Sequence, residues 1–250
     1  MAMPLYDNQP TRRAPVVTYT LVAINVVIFL ITPMASLNHR YGDGHARACA
    51  QEVFSRHYGA IPKELIDNRQ QPLPESTVSE CHPDPFKKTP WLSALSAMFL
   101  HASWDHLLGN MIFLFIFGAA TEGRFGRGRY LLFYLASGFV AAYGFALTYP
   151  DSMVPLIGAS GAIAGVLGSH FAMYPRSRVT MFIPPVFVFR LPAWAVLGQF
   201  FVLQWASLHG HGESQTAYVA HIYGFVAGVI VGLLARRSVA ARRTPVLSAP

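Results

Sequence analysis

The sequence predicts an all-α polytopic membrane protein, a six-transmembrane-helix bundle with both termini cytoplasmic, and three observations carry that reading. Charge is scarce: of 250 residues, 12% are Asp, Glu, Lys or Arg and 53% are hydrophobic, where globular domains carry about 25% charged residues. Too little polar surface remains to cover a water-facing sphere, which argues against a soluble single-core enzyme. Uncharged runs close to the ~20 residues needed to cross a bilayer recur along the chain. The basic excess, 19 Lys+Arg against 12 acids for a formal +7, collects in alternate loops, as retention of Lys and Arg in the cytoplasm requires. A positive chain can also be a nucleic-acid binder, but this distribution makes the +7 an orientation signal instead.

Residues 1–15 are read as a cytoplasmic segment carrying Arg12 and Arg13, followed by span one at 16–34 with Asn25 as its one strongly polar side chain. The basic pair ahead of an apolar run resembles a signal peptide. The run is longer than a usual h-region and further spans follow, so it is read as a retained helix. Span two, 104–121, is the weakest by hydropathy because Asp105, His106 and Asn110 fall near its start. Spans three to six are placed at 130–150, 152–175, 191–208 and 214–235. Arg124, Arg127 and Arg129 separate spans two and three, Arg176 and Arg178 follow span four, and Arg190 opens span five. Arg236, Arg237, Arg242 and Arg243 mark a basic cytoplasmic tail at 236–250. The opposite loops, 151–154 and 209–217, hold no Lys or Arg, and the long outer loop, 35–103, balances seven basic residues with seven acids. The membrane domain therefore runs from 16 to 235 with that loop inside it.

Pro62, Pro72, Pro74, Pro83 and Pro85 break any extended helix in the outer loop, and 38–88 has no assigned role. The chain has two cysteines, Cys49 and Cys81, and no CxxC, which excludes a disulfide-dense mini-protein and a zinc ribbon. The pair either stays as free thiols or, facing an oxidising compartment, closes a loop of about 31 residues, worth roughly 3 kcal/mol by chain entropy. His39, His45, His57 and His82 share the loop, but their spacings match no standard metal pattern.

Polar groups inside spans are costly unless paired or working, so they are the functional candidates. His106 and Asn110 are four apart and share a helical face, with Ser103 as an N-cap and Asp105 in the first turn. Ser160 stands in Gly158-Ala159-Ser160-Gly161, and His221 lies a turn or two inside span six. Counting from the outer loops puts all four at one depth, roughly 6–10 Å below the outer surface. Below His221 run Gly224, Gly228 and Gly232; from Ser160 run Ala164 and Gly168, with Gly161 and Gly165 alongside. Two such small-residue faces allow close helix approach and would bring the serine to the imidazole. The chemistry that follows is acyl transfer by a Ser–His dyad, since no acid in the spans is available to orient the histidine. Asn110, His106 and the Ser160 backbone N–H are suitable oxyanion donors. A lone serine beside glycine is ordinarily interhelical glue and a lone membrane histidine a packing or proton-relay residue. Coincidence of the set at one depth is what favours catalysis.

These residues resemble the rhomboid family of intramembrane serine proteases. The likeness runs through Phe99-Leu100-His101-Ala-Ser-Trp-Asp-His106-Leu-Leu-Gly-Asn110, Gly158-Ala-Ser160-Gly161-Ala-Ile-Ala-Gly165 and Ala220-His221-Ile-Tyr-Gly224-Phe-Val-Ala-Gly228, over roughly 90–235. It implies a rhomboid-like six-helix bundle, Ser160 as nucleophile, His221 as general base, and His106 and Asn110 in the oxyanion hole. His101 matches a structural or water-organising histidine, and 91–100 fits a loop lying partly in the outer leaflet. No metal or cofactor is implied. The expected partners are transmembrane protein substrates and the lipid bilayer, with no nucleic acid. Compact tails and no transit-peptide pattern lead to the expectation of a prokaryotic cytoplasmic membrane, with the site facing outward. Two departures stand out: Leu92 follows Trp91 where many members carry arginine, and Ala164 occupies a place where an aromatic often stacks on the histidine. Two other readings remain: a catalytically silent rhomboid-like adaptor that binds client helices, and a small transporter with a proton path through His101, His106 and His221.

Overall fold

The computed structural model describes residues 3–9, 14–183, 187–207 and 215–242. Arg12, Arg13 and Arg243, most of the 209–217 loop and the last residues of the C-terminal tail fall outside the described residues. In chain order the elements are β1 (Met3–Asp7), α1 (Val16–Ile31), α2 (Gly44–Tyr58), α3 (Pro62–Asp67), α4 (Glu75–Cys81), α5 (Pro90–Ala97), α6 (Trp104–Phe125), α7 (Arg127–Thr148), α8 (Ser160–Met173), β2 (Arg178–Ile183), β3 (Phe187–Pro192), α9 (Ala193–Ser207) and α10 (Gln215–Arg242).

Among the described residues, three helices are long and apolar enough to cross a membrane: Trp104–Phe125, Arg127–Thr148 and, within α10, Tyr218–Arg236. The weakest run by hydropathy is thus one of the three. α1, α8 and α9 have 16, 14 and 15 residues, and a 14-residue helix spans only about 21 Å against ~30 Å of hydrocarbon.

The expectation of a span beginning at 152 is corrected. Residues 152–159 are not helical, and Leu156 pairs as an isolated bridge with Ala60. Pro155 lacks an N–H and Gly158 sits at φ +131°, so the run cannot wind into the helix it precedes. Helix α8 starts at Ser160 itself.

At the centre of the bundle, α8 is buried at every residue from Gly161 to His170 and touches α6, α7, α9 and α10. Its approach to α10 is close because the glycines leave no alternative. A Cβ at Gly224 would strike the Gly161 carbonyl, one at Gly228 the Gly165 carbonyl, and one at Gly232 would lie 2.7 Å from the Ser169 oxygen. A Cβ at Gly168 would meet the Phe225 carbonyl in return. The expected small-residue seam therefore brings the two helices into backbone-to-backbone contact.

Helix α1 is fixed by a carboxylate. Glu122, 3% exposed on α6, accepts from the backbone N–H groups of Val17 (3.0 Å) and Thr18 (2.8 Å) and from the Thr18 hydroxyl (2.8 Å). An anion at a helix N-terminus satisfies orphan donors and opposes the positive end of the macrodipole.

A purely α-helical expectation also misses a three-stranded antiparallel sheet, ordered β1-β2-β3. β2 and β3 pair from Arg178↔Pro192 to Ile183↔Phe187, and β1 joins from Met3↔Phe182 to Asp7↔Val179 with a register shift between Pro4 and Tyr6. Proline belongs at such an edge or bulge. The sheet rests against α6 through β1 and against α9 through β2 and β3. Buried Asp7 ties it to α8: its Oδ2 is 3.4 Å from Nε2 of His170, which also lies 3.2 Å from the Ser177 hydroxyl.

The segment between α1 and α6 is folded rather than loose. Cys49 and Cys81 form a disulfide joining α2 to α4. The ring of His57 stacks between Tyr58 and Phe86, with centroids 4.2 Å from each. Among the described residues no group of three or more His, Cys, Asp or Glu side chains is placed to hold a metal ion.

Candidate active site

Ser160 is the first residue of α8, so its own N–H belongs to the unpaired first turn of a helix. The backbone enters from Gly158, whose N–H donates to the Ala97 carbonyl at 2.8 Å. A Cβ at Gly158 would come within 2.8 Å of Cε1 and Nε2 of His106. The left-handed φ and this contact make glycine obligatory there.

From α10, brought close by the glycine seam, His221 directs Nε2 to the Ser160 hydroxyl at 2.7 Å. That is hydrogen-bond distance between a weak nucleophile and a base able to activate it. His221 also has an aromatic neighbour, but from α9 and not from α8: the ring of Phe200 is 6.3 Å away, tilted by 34°. A sequence in which residue 164 is Ala gave no signal for this, because Phe200 lies 36 residues beyond that position and reaches the site only through tertiary packing.

His106 begins on the first turn of α6, where the Ser103 hydroxyl accepts from its backbone N–H at 3.2 Å. Its ring Nδ1 accepts from the Ala102 N–H at 3.4 Å, which leaves Nε2, beside Gly158, as the nitrogen that carries the proton. One turn deeper on the same face is Asn110, 8% exposed, whose side-chain Nδ2 has no hydrogen-bond acceptor among the described residues. His101 is 1% exposed, its ring 5.1 Å edge-on from that of His106. Of the sequence-derived residues, Ser160 and His221 are in direct contact and His106 lies against Gly158, two residues before the serine, while Asn110 follows one turn further along α6.

Beside Ser160 is a cavity of about 20 Å³ lined mostly by small side chains, among them Ala97, Gly138, Ala141 and Gly161, with Leu156 at its wall. Sequence reasoning did not find it, since the lining comes from α5, α7, α8 and α10 and no single motif carries it.

The Rhomboid domain profile matches residues 88–238 of this chain. The chain belongs to the rhomboid family. Among curated relatives of this rhomboid, a Bacillus subtilis protein named "Putative rhomboid protease YdcA" is 31% identical over 145 residues, covering 58% of this chain and 67% of that protein. The mitochondrial Rhomboid protein 1 of Saccharomyces cerevisiae is 30% identical over 164 residues, covering 61% of this chain and 44% of its own. Rhomboid protease GluP of Bacillus subtilis is 40% identical over 79 residues, covering 32% and 15%. The chain thus spans two thirds or less of these relatives. The rhomboid match contains His106, Asn110, Ser160 and His221, whereas β1, α1 and the disulfide-linked helices α2 to α4 precede it.

Proposed function

We propose that this rhomboid is an intramembrane serine protease that hydrolyses a peptide bond in or near a transmembrane segment of another membrane protein. The observation that carries the reading is the 2.7 Å contact between the Ser160 hydroxyl and His221 Nε2. A silent adaptor has no use for an aligned nucleophile and base, and a proton path has no use for donors grouped around a serine.

In the reaction the Ser160 oxygen attacks the scissile carbonyl carbon while its proton passes to His221 Nε2. The carbonyl oxygen becomes an oxyanion, met by His106 Nε2–H, Asn110 Nδ2–H and the Ser160 backbone N–H. The positive end of α8 adds to that stabilisation. Collapse breaks the C–N bond, and the leaving amine takes the proton from His221. Water, deprotonated by the same imidazole, then attacks the acyl-enzyme and releases Ser160. A substrate helix must unwind first, because its carbonyls are otherwise turned into its own hydrogen bonds. The small, alanine-lined cavity suits a methyl-sized side chain next to the bond that is cut.

The charge pattern supports cytoplasmic termini and a site opening to the opposite side. The test is cleavage of a single-span reporter in proteoliposomes. Ser160→Ala and His221→Ala are expected to abolish it with the bundle still folded; unimpaired cleavage by either variant would refute the mechanism.

A further inference from the structure

Between α2 and α3 the chain runs alongside the segment that leads to Ser160. Ala60 and Leu156 exchange both backbone hydrogen bonds, at 2.9 and 2.8 Å. The Arg56 guanidinium donates to the Met153 carbonyl at 3.3 Å, and the Lys63 N–H donates to the Ser152 carbonyl at 3.2 Å. Gly59 is pressed against the same run: a Cβ there would lie 2.9 Å from Ile157 and 3.1 Å from Pro155. Four residues beyond the bridge stands the serine, and Leu156 itself lines the cavity beside it.

What fixes this edge is one buried cation. Lys88 Nζ donates to the carbonyls of Arg56 and Gly59, each at 2.7 Å, and pairs with Glu64 Oε2 at 2.6 Å. Two ammonium donors go to carbonyls and Glu64 supplies the counter-charge, with the Lys88 and Glu64 side chains 2% and 3% exposed. Two of the acceptors are backbone carbonyls at the end of α2, which have no partner within the helix. Burial pulls the Lys88 amine below its ordinary pKa, with the Glu64 hydrogen bond opposing. A buried ion pair gains little net stability over an apolar replacement. Its distinctive contribution is a fixed geometry, here that of the Gly59 carbonyl one residue before the bridge.

Resting on the protease reading above, we propose that Lys88 is a positioning residue: through Gly59 and the Ala60–Leu156 pair it holds the 153–158 segment that a substrate must meet on its way to Ser160. The route runs from Lys88 to Gly59, across the paired strands to Leu156, and along the chain through Gly158 to the nucleophile. Small reagents need only Ser160 and His221. An extended polypeptide needs the wall beside them as well.

The experiment uses the full-length protein in proteoliposomes with its disulfide intact. The variant is Lys88→Met combined with Glu64→Gln, which removes both charges and leaves no unpaired one buried. Two rates are compared with wild type: fluorophosphonate labelling of Ser160, and turnover of a fluorescent single-span reporter with Ala and Gly around the cut. The expected result is a fall in kcat of about tenfold or more, the scale of an ångström-level misplacement, with labelling little changed and thermal stability retained. Because Leu156 also lines the cavity, Ala60→Cys with Leu156→Cys is made in both the wild-type and the double-variant background, and oxidation should raise turnover of the second to that of the first. A hydrogen-bonded antiparallel pair, with Cα atoms about 5.5 Å apart, can take a disulfide, which pins the strands without Lys88.

Unchanged turnover in the double variant overturns the inference. So does a parallel loss of labelling and turnover that the cysteine pair fails to rescue, because that result marks general support of the fold. A wild type that neither labels nor turns over the reporter overturns the protease reading and this inference with it. An active wild type beside an equally active double variant overturns this inference alone.

Discussion

His106 and Asn110 are proposed to serve the same oxyanion from one face of α6, and they differ in what else they touch. Asn110→Ala removes a donor whose nitrogen has no other acceptor among the described residues. It is expected to lower kcat by about 10²–10³ with KM nearly unchanged, as loss of one oxyanion donor does. Gly158→Ala should be at least as damaging, because it strains a left-handed backbone and drives a methyl into the His106 ring. Outside the membrane-spanning helices, desolvation between its two aromatic neighbours holds the His57 imidazole below its ordinary pKa of 6.5. The unfolded segment takes up a proton as pH falls through 6.5, whereas the folded one resists until lower pH. This contribution to stability is therefore complete above pH 6.5 and lost progressively below it. Protection of the α2 amides, corrected for the intrinsic exchange rate at each pH, should fall from pH 7.5 to 5, and less so in His57→Phe; an identical fall in both would remove His57 as the cause. At this scale the sequence was informative wherever a polar side chain stood out in an apolar run, as Ser160, His221, His106 and Asn110 all do. Phe200 was invisible for the opposite reason: it is one aromatic among many, and only packing brings it to His221.

Helices α8 and α10 show what was legible in an element and what was not. The glycine spacing announced the seam, and the structure puts carbonyl oxygens where glycine side chains would have been. Gly228→Val is expected to force the helices apart, destabilising the fold by about 1–3 kcal/mol as overpacking does and removing cleavage through the lost Ser160–His221 contact. A lower melting temperature together with lost labelling would bear this out. Glu122→Ala should destabilise by about 2 kcal/mol, since three donors at the start of α1 lose a charged acceptor; melting in detergent measures it. The start of α8 was misplaced because hydropathy counts apolar residues without asking whether they are helical. Pro155 and Gly158 were the available signal. The β2–β3 hairpin was missed for a related reason: RVTMFI and FVFRLP, either side of Pro184 and Pro185, are rich in β-branched and aromatic residues but were absorbed into the loop after span four and the start of span five.

As a whole, the molecule is a helical membrane protein of the rhomboid family carrying a further folded segment between α1 and α6. Charge scarcity and basic loops made the bundle legible. The segment was not, because its order comes from contacts distant in sequence: the Cys49–Cys81 bridge, the Lys88–Glu64 pair and the bridge to Leu156. Replacing both cysteines by serine should loosen α2 and α4, removing about 3 kcal/mol of chain-entropy constraint, and hydrogen exchange confined to those helices would register it. The account stands or falls on whether Ser160 is an activated nucleophile. The direct measurement is mass spectrometry of the membrane-embedded protein after reaction with a fluorophosphonate. The expected result is a single covalent adduct on Ser160, absent in Ser160→Ala and suppressed in His221→Ala. An unlabelled wild type, or a Ser160→Ala variant that still cleaves the reporter, would contradict it.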